Sequence, residues 1–293
     1  MGTVIDRVEV ARGGWLPGWG GRHSALHLAV AAAKSCLRAA HRDADDLDLL
    51  VNTGIYRDKN LGEPALAALV QEDVGANPED PHGDAHGTFS FDVANGTCGV
   101  LTGLQIVDGF LRSHTIRYAL VTASDADPGR GLSRNFPFSP VGAALLCRWA
   151  DDDSGLGPVS WVTEFDDGAH FSATVGSENA RNVLRFHVSP DLDERLAAAA
   201  AKAARNCLRE AALNPSDIDL VIAAPARPIY RATLATQLNV AAKRVIVAED
   251  ERTHTAALAV ALDRSLGRMP GNTRILLVAA GAGITAGAAL YRV

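Results

Sequence analysis

A passage near the start of the chain is repeated 171 residues further on. Residues 33–51 contain Ala-Lys-Ser-Cys-Leu-Arg and then Asp-Leu-Asp-Leu-Leu-Val, and residues 204–222 contain Ala-Arg-Asn-Cys-Leu-Arg and then Asp-Ile-Asp-Leu-Val-Ile. Each copy is typical of an alanine-rich amphipathic helix, a polar turn and a short buried strand. A long repeat that occurs twice indicates a duplicated half-domain, so residues 24–51 are predicted to superpose on residues 195–222. We expect the functional site of such a chain to lie where the two halves meet.

The later parts of the two halves are also alike. The run Tyr118–Ala123 resembles Ile275–Ala280, and the sequence Gly-Ala-Ala-Leu occurs at residues 142–145 and again at 287–290. These matches extend the duplication over most of the chain.

An acidic, glycine-containing stretch at residues 151–157 is typical of a turn and separates the halves. We therefore predict an N-terminal half, residues 1–150, and a C-terminal half, residues 158–293. In each half, helix and strand patterns alternate, which favours a mixed or parallel sheet covered by helices on both faces.

The composition is that of an ordinary globular protein. Of 293 residues, 47% are apolar and 21% are charged, and the net charge is −6. This charge argues against a nucleic-acid partner bound by bulk electrostatics. No apolar run reaches the roughly 18 residues of a membrane span, and the N-terminus lacks the basic and apolar regions of a signal peptide. We therefore expect no membrane association and a cytoplasmic protein.

Three of the four cysteines are predicted to be core residues. Cys36 and Cys207 occupy equivalent positions in the repeated helix, and Cys147 lies in an apolar, strand-like run. Free cysteine packs as a small hydrophobic residue, and unpaired thiols fit the cytoplasm.

The fourth cysteine lies in the segment that most clearly suggests a reactive site. Residues 89–93 alternate like a strand, residues 94–99 (Ala-Asn-Gly-Thr-Cys-Gly) form a turn, and an apolar-periodic helix begins near Leu101. At a helix N-terminus, free backbone N–H groups and the helix dipole lower a thiol pKa and can bind an oxyanion. Cys98 is therefore a candidate nucleophile, with a small residue in a tight turn as the alternative.

The same segment resembles a known family. The run Phe91-Asp92-Val93-Ala94-Asn95-Gly96-Thr97-Cys98-Gly99, followed by Leu104 and Asp108, is similar to the nucleophile region of β-ketoacyl-ACP synthase III, in the thiolase superfamily. Residues 14–17, 117–125 and 281–287 resemble that family's opening strand, the strand behind its active site and its closing glycine hairpin. The resemblance covers nearly the whole chain. It implies an α/β fold, a duplicated five-layered α-β-α-β-α sandwich, and a dimer that moves acyl groups between coenzyme A and acyl carrier protein.

The chain departs from this family's pattern at the catalytic positions. In an ungapped register the family's cysteine falls on Thr97, with Cys98 one residue later. The family's histidine falls on Ala224, and its asparagine falls on Thr253 or His254. Alanine can neither donate a proton nor form a side-chain hydrogen bond, so decarboxylative condensation is not expected.

The resemblance implies further binding groups. The backbone amides of Ala282 and Gly283 would stabilise an oxyanion. Arg227, Arg231 and Arg252 would lie beside the entrance and contact phosphopantetheine or an acidic carrier protein, unless they belong to an ordinary solvated surface.

No metal or separate cofactor is expected. His82, His86 and His170 lie in loops and are predicted to be solvated, and residues 281–283 do not match a dinucleotide-binding motif. The substrate would be acyl-CoA or acyl-phosphopantetheine, although the family's segment for the coenzyme A nucleotide is missing between Pro17 and Ser24.

The predicted function is an acyltransferase of the ketoacyl synthase III type, acting in fatty-acid-like or specialised-metabolite biosynthesis. It would move an acyl group between CoA or acyl carrier protein thioesters and an acceptor. Cys98 or Thr97 would receive the acyl group, with His254 assisting, or transfer would proceed without a covalent intermediate. The alternative is a non-catalytic subunit that pairs with an active homologue or binds a carrier protein. We expect a homodimer, or a heterodimer with a homologue.

Overall fold

The computed structural model describes residues 1–13, 24–77, 87–267, 269–281 and 283–293. The elements of the first half are β1 (Gly2–Arg12), α1 (Ala25–Ala39), β2 (Leu49–Asn52), α2 (Leu66–Val74), β3 (Phe89–Asp92), α3 (Gly99–Arg112), β4 (Tyr118–Asp125) and β5 (Val141–Ala150). Those of the second half are β6 (Gly155–Thr163), β7 (Phe171–Glu178), β8 (Arg181–Val188), α4 (Leu192–Glu210), β9 (Leu220–Ala224), α5 (Pro228–Leu238), β10 (Val245–Ile246), α6 (Ala257–Leu266), β11 (Arg274–Gly281) and β12 (Thr285–Arg292). None of the helices within these residues combines the length and the apolar character needed to cross a bilayer.

The two copies of the repeat form the same structure. Each consists of a long helix (α1 or α4), a 3₁₀ turn (Ala44–Asp46 or Pro215–Asp217) and an interior strand (β2 or β9). The predicted helix-to-strand correspondence is confirmed. It follows from the shared pattern of apolar residues, which buries one stripe of each helix and all of each strand except Leu220.

The sheet shows the duplication in its strand order. The first half runs β1-β5-β4-β2-β3 and the second runs β6-β12-β11-β9-β10, so strands at equivalent positions have equivalent neighbours. Between the two halves, the sheet continues through one paired position, Thr3 of β1 with Leu156 of β6. Parallel pairing around β2 and β9 combines with antiparallel pairing elsewhere, as the prediction of a mixed sheet requires.

The helices pack in three layers around these strands. Leu50 of β2 packs outward with α1 and α2, whereas its neighbours Leu49 and Val51 pack inward with α3 and α6. In the second half, Val221 packs outward with α4 and α5, and Ile222 packs inward. Burial on both faces explains the continuous apolar runs of these strands. The predicted five-layered α-β-α-β-α fold is confirmed.

Two details differ from the sequence prediction. The turn assigned to residues 151–157 ends earlier, because β6 begins at Gly155, where a Cβ atom would lie 2.7 Å from the backbone of Gly2. A two-stranded hairpin, β7–β8, also follows β6 and was not predicted. The division at 1–150 and 158–293 stays our interpretation of the repeat.

The β7–β8 hairpin is joined to the loop at residues 130–140. The backbone N–H of Arg134 donates to the carbonyl of Leu184 on β8, and the N–H of Leu184 donates to the carbonyl of Leu132. This connection brings Phe186 of the hairpin against Phe136 and Phe138 of the loop. The loop and the hairpin thereby form an aromatic wall beside the start of α3.

Candidate active site

The turn between β3 and α3 directs Thr97 and Cys98 to different surroundings. Thr97 lines a cavity, whereas Cys98 has no exposed surface, and its thiol donates to the carbonyl of Thr285 at 3.4 Å. Burial raises the pKa of the Cys98 thiol to about 12. Burial thus shifts the Cys98 pKa upward, opposite to the lowering expected for a thiol at a helix N-terminus.

Thr97 is held tightly at the base of the cavity. Its side-chain hydroxyl donates to the carbonyl of Ala280 on β11, and the residue is 6% exposed. Gly281 allows this approach, since a Cβ atom there would lie 3.0 Å from the Thr97 oxygen and 3.5 Å from the Cys98 sulfur.

His254 precedes α6 and lines the same cavity as Thr97. Its Nδ1 lies 3.2 Å from the Oδ2 atom of Asp125, the last residue of β4. Asp125 also accepts hydrogen bonds from the backbone N–H groups of Tyr56 at 3.0 Å and Thr255 at 2.9 Å. The Thr255 hydroxyl donates to it at 2.7 Å. Side chains from both halves thus meet at one carboxylate.

The charge of Asp125 decides which nitrogen of His254 carries the proton. Burial alone would raise the pKa of this carboxyl, but the electrostatic interaction and hydrogen bond with His254 and the backbone hydrogen bonds from Tyr56 and Thr255 hold it below its ordinary value of 3.8. A carboxylate only accepts hydrogen bonds, so Nδ1 of neutral His254 must donate. Its Nε2 is then free to accept a proton.

Aromatic rings fix the orientation of the imidazole. Phe138 stacks on His254 with centroids 4.1 Å apart, and Tyr56 lies 5.3 Å away. Nε2 points toward the turn before α3, where a side chain added to Gly96 would come within 3.8 Å of it. The imidazole therefore presents Nε2 to the turn that carries Thr97.

The cavity is mainly apolar with a few polar groups. The hydroxyl of Thr253 has no hydrogen-bond partner within the described ranges, and the residue is 3% exposed. Ala224 occupies the end of β9 and is buried, and the next residue lines the cavity. The lining residues come from both halves: Thr97, Phe138, Phe171, Leu192, Leu196, Pro225, Arg227, Glu251, Thr253, His254 and Gly281.

Of the three predicted arginines, the cavity includes Arg227. Its guanidinium pairs with Asp193 at 3.0 Å and is 40% exposed. Arg231 donates to backbone carbonyls at 2.8 and 2.9 Å, and Arg252 donates to the carbonyls of Pro137 and Phe138. These two arginines connect neighbouring segments instead of lining the cavity.

Two of the remaining predicted residues, Gly283 and His170, do not line the cavity. Ala282, His82 and His86 lie outside the described residues, and Gly283 lies in a turn with a φ of +72°. His170 pairs with Asp166 and, at 3.4 Å, with Asp191. Among the residues that the structure describes, no group of three or more side chains is arranged to hold a metal ion.

Sequence reasoning missed Asp125. It is 129 residues from His254, and the available signal was a charged residue that ends the buried apolar run of β4. A carboxylate in that position, fully inside the fold, requires donors from neighbouring elements.

Comparison with known proteins agrees with this architecture. A family model for the 3-oxoacyl-[acyl-carrier-protein] synthase III C-terminal region matches residues 208–293. The chain is 30% identical over 287 residues to the β-ketoacyl-[acyl-carrier-protein] synthase III of Sphingopyxis alaskensis, covering 91% of this chain and 83% of that protein. It is 25% identical over 291 residues to the corresponding protein of Aquifex aeolicus, with the same coverage.

Solved structures show the same fold. The crystal structure of 3-oxoacyl-[acyl-carrier-protein] synthase III from Aquifex aeolicus matches with a TM-score of 0.79 and 20% identity, covering all of both chains. The priming β-ketosynthase of the R1128 polyketide pathway matches with a TM-score of 0.81 and 19% identity, covering 99% of this chain and 96% of that one.

The duplicated sandwich, with a cavity at the start of α3, has the thiolase-like α/β fold. The chain belongs to the β-ketoacyl-[acyl-carrier-protein] synthase III family. The resemblance drawn from residues 91–99 is thereby confirmed, together with the predicted class of acyltransferase.

Proposed function

We propose that the chain transfers an acyl group from a thioester to an acceptor in the Thr97–His254 cavity, with His254 as the general base. The observation that carries this proposal is the hydrogen bond between His254 Nδ1 and Asp125, which leaves Nε2 as a proton acceptor facing the cavity. A positioned histidine of this kind deprotonates a hydroxyl or protonates a leaving thiolate.

The proposed donors are thioesters of coenzyme A or acyl carrier protein. The support is the names of the relatives, which are synthases acting on acyl carrier protein. Arg227 at the cavity supports the same choice, because a partly exposed guanidinium can bind phosphopantetheine phosphate. Arg231 and Arg252 would add positive charge that steers an acidic carrier protein. Oxyanion stabilisation by the amides of Ala282 and Gly283 stays a prediction.

Thioester turnover tests this function. We expect the protein to release free thiol from acetyl-CoA, butyryl-CoA or octanoyl-CoA, or from the same acyl groups on a carrier protein. Thiol release is followed with a chromogenic thiol reagent, and heat-denatured protein serves as the control. No release from any of these donors above that control would contradict the proposed function and favour a non-catalytic partner subunit.

We also propose that the chain forms a homodimer through β3. This strand is at one end of the strand order, so its outer edge has no strand neighbour within the described ranges. Phe89 on β3 is 60% exposed and contacts Phe91, with ring centroids 5.2 Å apart. An apolar edge strand is a template for pairing with a second copy.

Light scattering is expected to give a mass near twice the 30.8 kDa of one chain. Phe89→Asp should shift the protein toward the monomer, because it places a charge in the apolar contact. Phe165→Asp is the matched control, since Phe165 is 91% exposed and lies outside β3. A wild-type mass near one chain at micromolar concentration would rule out this homodimer.

A further inference from the structure

Building on the proposed function, we propose that the acyl group passes directly from the thioester to an alcohol bound in the cavity. His254 takes the proton of the alcohol and Asp125 positions His254. No residue of the chain carries the acyl group. This route follows from the contacts of the two possible nucleophiles and of the base.

Cys98 is not placed to react. Its side chain has no exposed surface, it does not line the cavity, and its thiol donates to the carbonyl of Thr285. A thioester in the cavity would have to displace the turn before α3 to reach the sulfur. Thiolate formation is also opposed by burial, which raises the pKa of this group.

Thr97 lines the cavity, but its hydroxyl proton is already used in a hydrogen bond. It donates to the carbonyl of Ala280, an acceptor that cannot remove the proton. A hydroxyl attacks a thioester only when a base takes its proton, and the Thr97 hydroxyl donates to the Ala280 carbonyl and not to the imidazole. The geometry therefore supports Thr97 as part of the cavity wall.

His254 has the arrangement that a base requires. Asp125 accepts from Nδ1, Phe138 stacks on the ring, and the residue lines the cavity with Nε2 toward the turn before α3. In the transfer step, Nε2 takes the proton as the alcohol oxygen bonds to the thioester carbonyl carbon. The carbon–sulfur bond then breaks, and the imidazolium returns the proton to the leaving thiolate. The products are an ester and a free thiol, and no other reactant is needed.

Thr253 supplies a donor next to this base. Thr253 lines the cavity, and its buried hydroxyl has no partner among the described residues. A buried polar group in this state is satisfied when a ligand binds. A donor beside the base can hold the carbonyl oxygen of the acyl group as negative charge develops on it.

The walls indicate what kind of alcohol fits. Phe138, Phe171, Leu192, Leu196 and Pro225 give the cavity an apolar surface, which favours an alcohol with an apolar body. A carbon acceptor generated by decarboxylation would need a further donor for its enolate oxygen, and Ala224 supplies none.

The order of bond formation provides the test. Initial rates are measured at varied acetyl-CoA concentrations and several fixed concentrations of benzyl alcohol. Direct transfer predicts that the double-reciprocal lines intersect and that acid-quenched protein keeps its unmodified mass. Thr97→Val, which keeps the shape and removes the hydroxyl, should still turn over and show the same intersecting pattern. Glycerol should be a poorer acceptor than benzyl alcohol.

Several results would overturn the inference. Parallel lines or an acyl adduct on Thr97 or Cys98 would establish a covalent route, and complete loss of turnover in Thr97→Val would contradict a wall role for Thr97; each leaves the proposed function standing. Thiol release without any ester product from benzyl alcohol would remove the alcohol acceptor. No thiol release with any donor would instead contradict the proposed function itself.

A second readout isolates the role of Asp125. Asp125→Asn should move the proton of neutral His254 from Nδ1 to Nε2, which ¹⁵N NMR of the imidazole detects. With the wrong tautomer, kcat should fall by roughly 10³–10⁴-fold while KM for acetyl-CoA changes little. Asp108→Asn is the matched control, because Asp108 is a buried, hydrogen-bonded aspartate away from the cavity. An unchanged tautomer and kcat in Asp125→Asn would refute the positioning role.

Discussion

Replacing His254 with glutamine is expected to lower the rate of acyl transfer by about 10³-fold, within the range that a positioned general base contributes. Glutamine is similar in size and can donate a hydrogen bond to Asp125 from its amide, but it cannot take a proton from the acceptor. The KM for the acyl donor should change by a much smaller factor, because His254 is proposed to act on the acceptor proton. Initial rates of thiol release at varied acetyl-CoA concentrations, measured with and without benzyl alcohol, give the rate of acyl transfer and the KM for the donor.

The matched control is His187→Gln. His187 lies on β8, on an exposed part of the hairpin, and its Nε2 lies 3.3 Å from the carbonyl oxygen of Ala169. This variant should keep wild-type rates and thermal stability. If His254→Gln retained more than about a tenth of the wild-type rate, the imidazole would not be the base, since the lost factor would lie below that range.

The duplicated fold could be predicted because both copies of the repeat meet the same physical requirement. Cys36 and Cys207 are both buried against the sheet, and burial raises the thiol pKa of both, to about 12 and about 11. The prediction that Cys36, Cys147 and Cys207 are core residues is confirmed. Apolar periodicity carries this information, because it records which face of each element is covered.

The chemistry of the cavity was harder to predict than its location. Residues 89–101 indicated a strand, a turn and a helix, but a turn does not reveal from sequence which of two adjacent side chains faces inward. The choice between Thr97 and Cys98 depends on Ala280 and Thr285, which accept their hydrogen bonds from more than 180 residues away. No local pattern encodes contacts of that kind.

The partner of His254 depends in the same way on the tertiary fold. Asp125 ends a strand in one half and His254 precedes a helix in the other, and the duplication brings the two together. The aromatic wall also depends on the tertiary fold, because Phe186, which contacts Phe138, lies on the β7–β8 hairpin that was not predicted. Short-range periodicity predicts elements, whereas these contacts depend on how the elements pack.

The largest expected effect on stability is that of Gly142→Ala, which we expect to lower the free energy of unfolding by about 3 kcal/mol. Gly142 is in β5, between β1 and β4, and pairs with both strands. A Cβ atom there would lie 2.4 Å from the carbonyl oxygen of Leu28, which belongs to the backbone of α1. Because both overlapping atoms are fixed to the backbone, no side-chain rotation relieves the overlap, and α1 would have to shift away from the sheet.

Gly287 is the counterpart of Gly142 in the repeat, and it too lies where a side chain would not fit. A Cβ atom at Gly287 would meet the ring of Trp161 at 2.6 Å, so both halves use the absent side chain for close packing, against different neighbours.

Gly109→Ala is the control, because Gly109 is an exposed position in α3 where an added methyl group would have no neighbouring atom within 4 Å. That variant should gain up to about 1 kcal/mol from helix propensity. Chemical denaturation of the two variants measures both changes, and a Gly142→Ala protein as stable as Gly109→Ala would show that α1 does not rest on β5 as described.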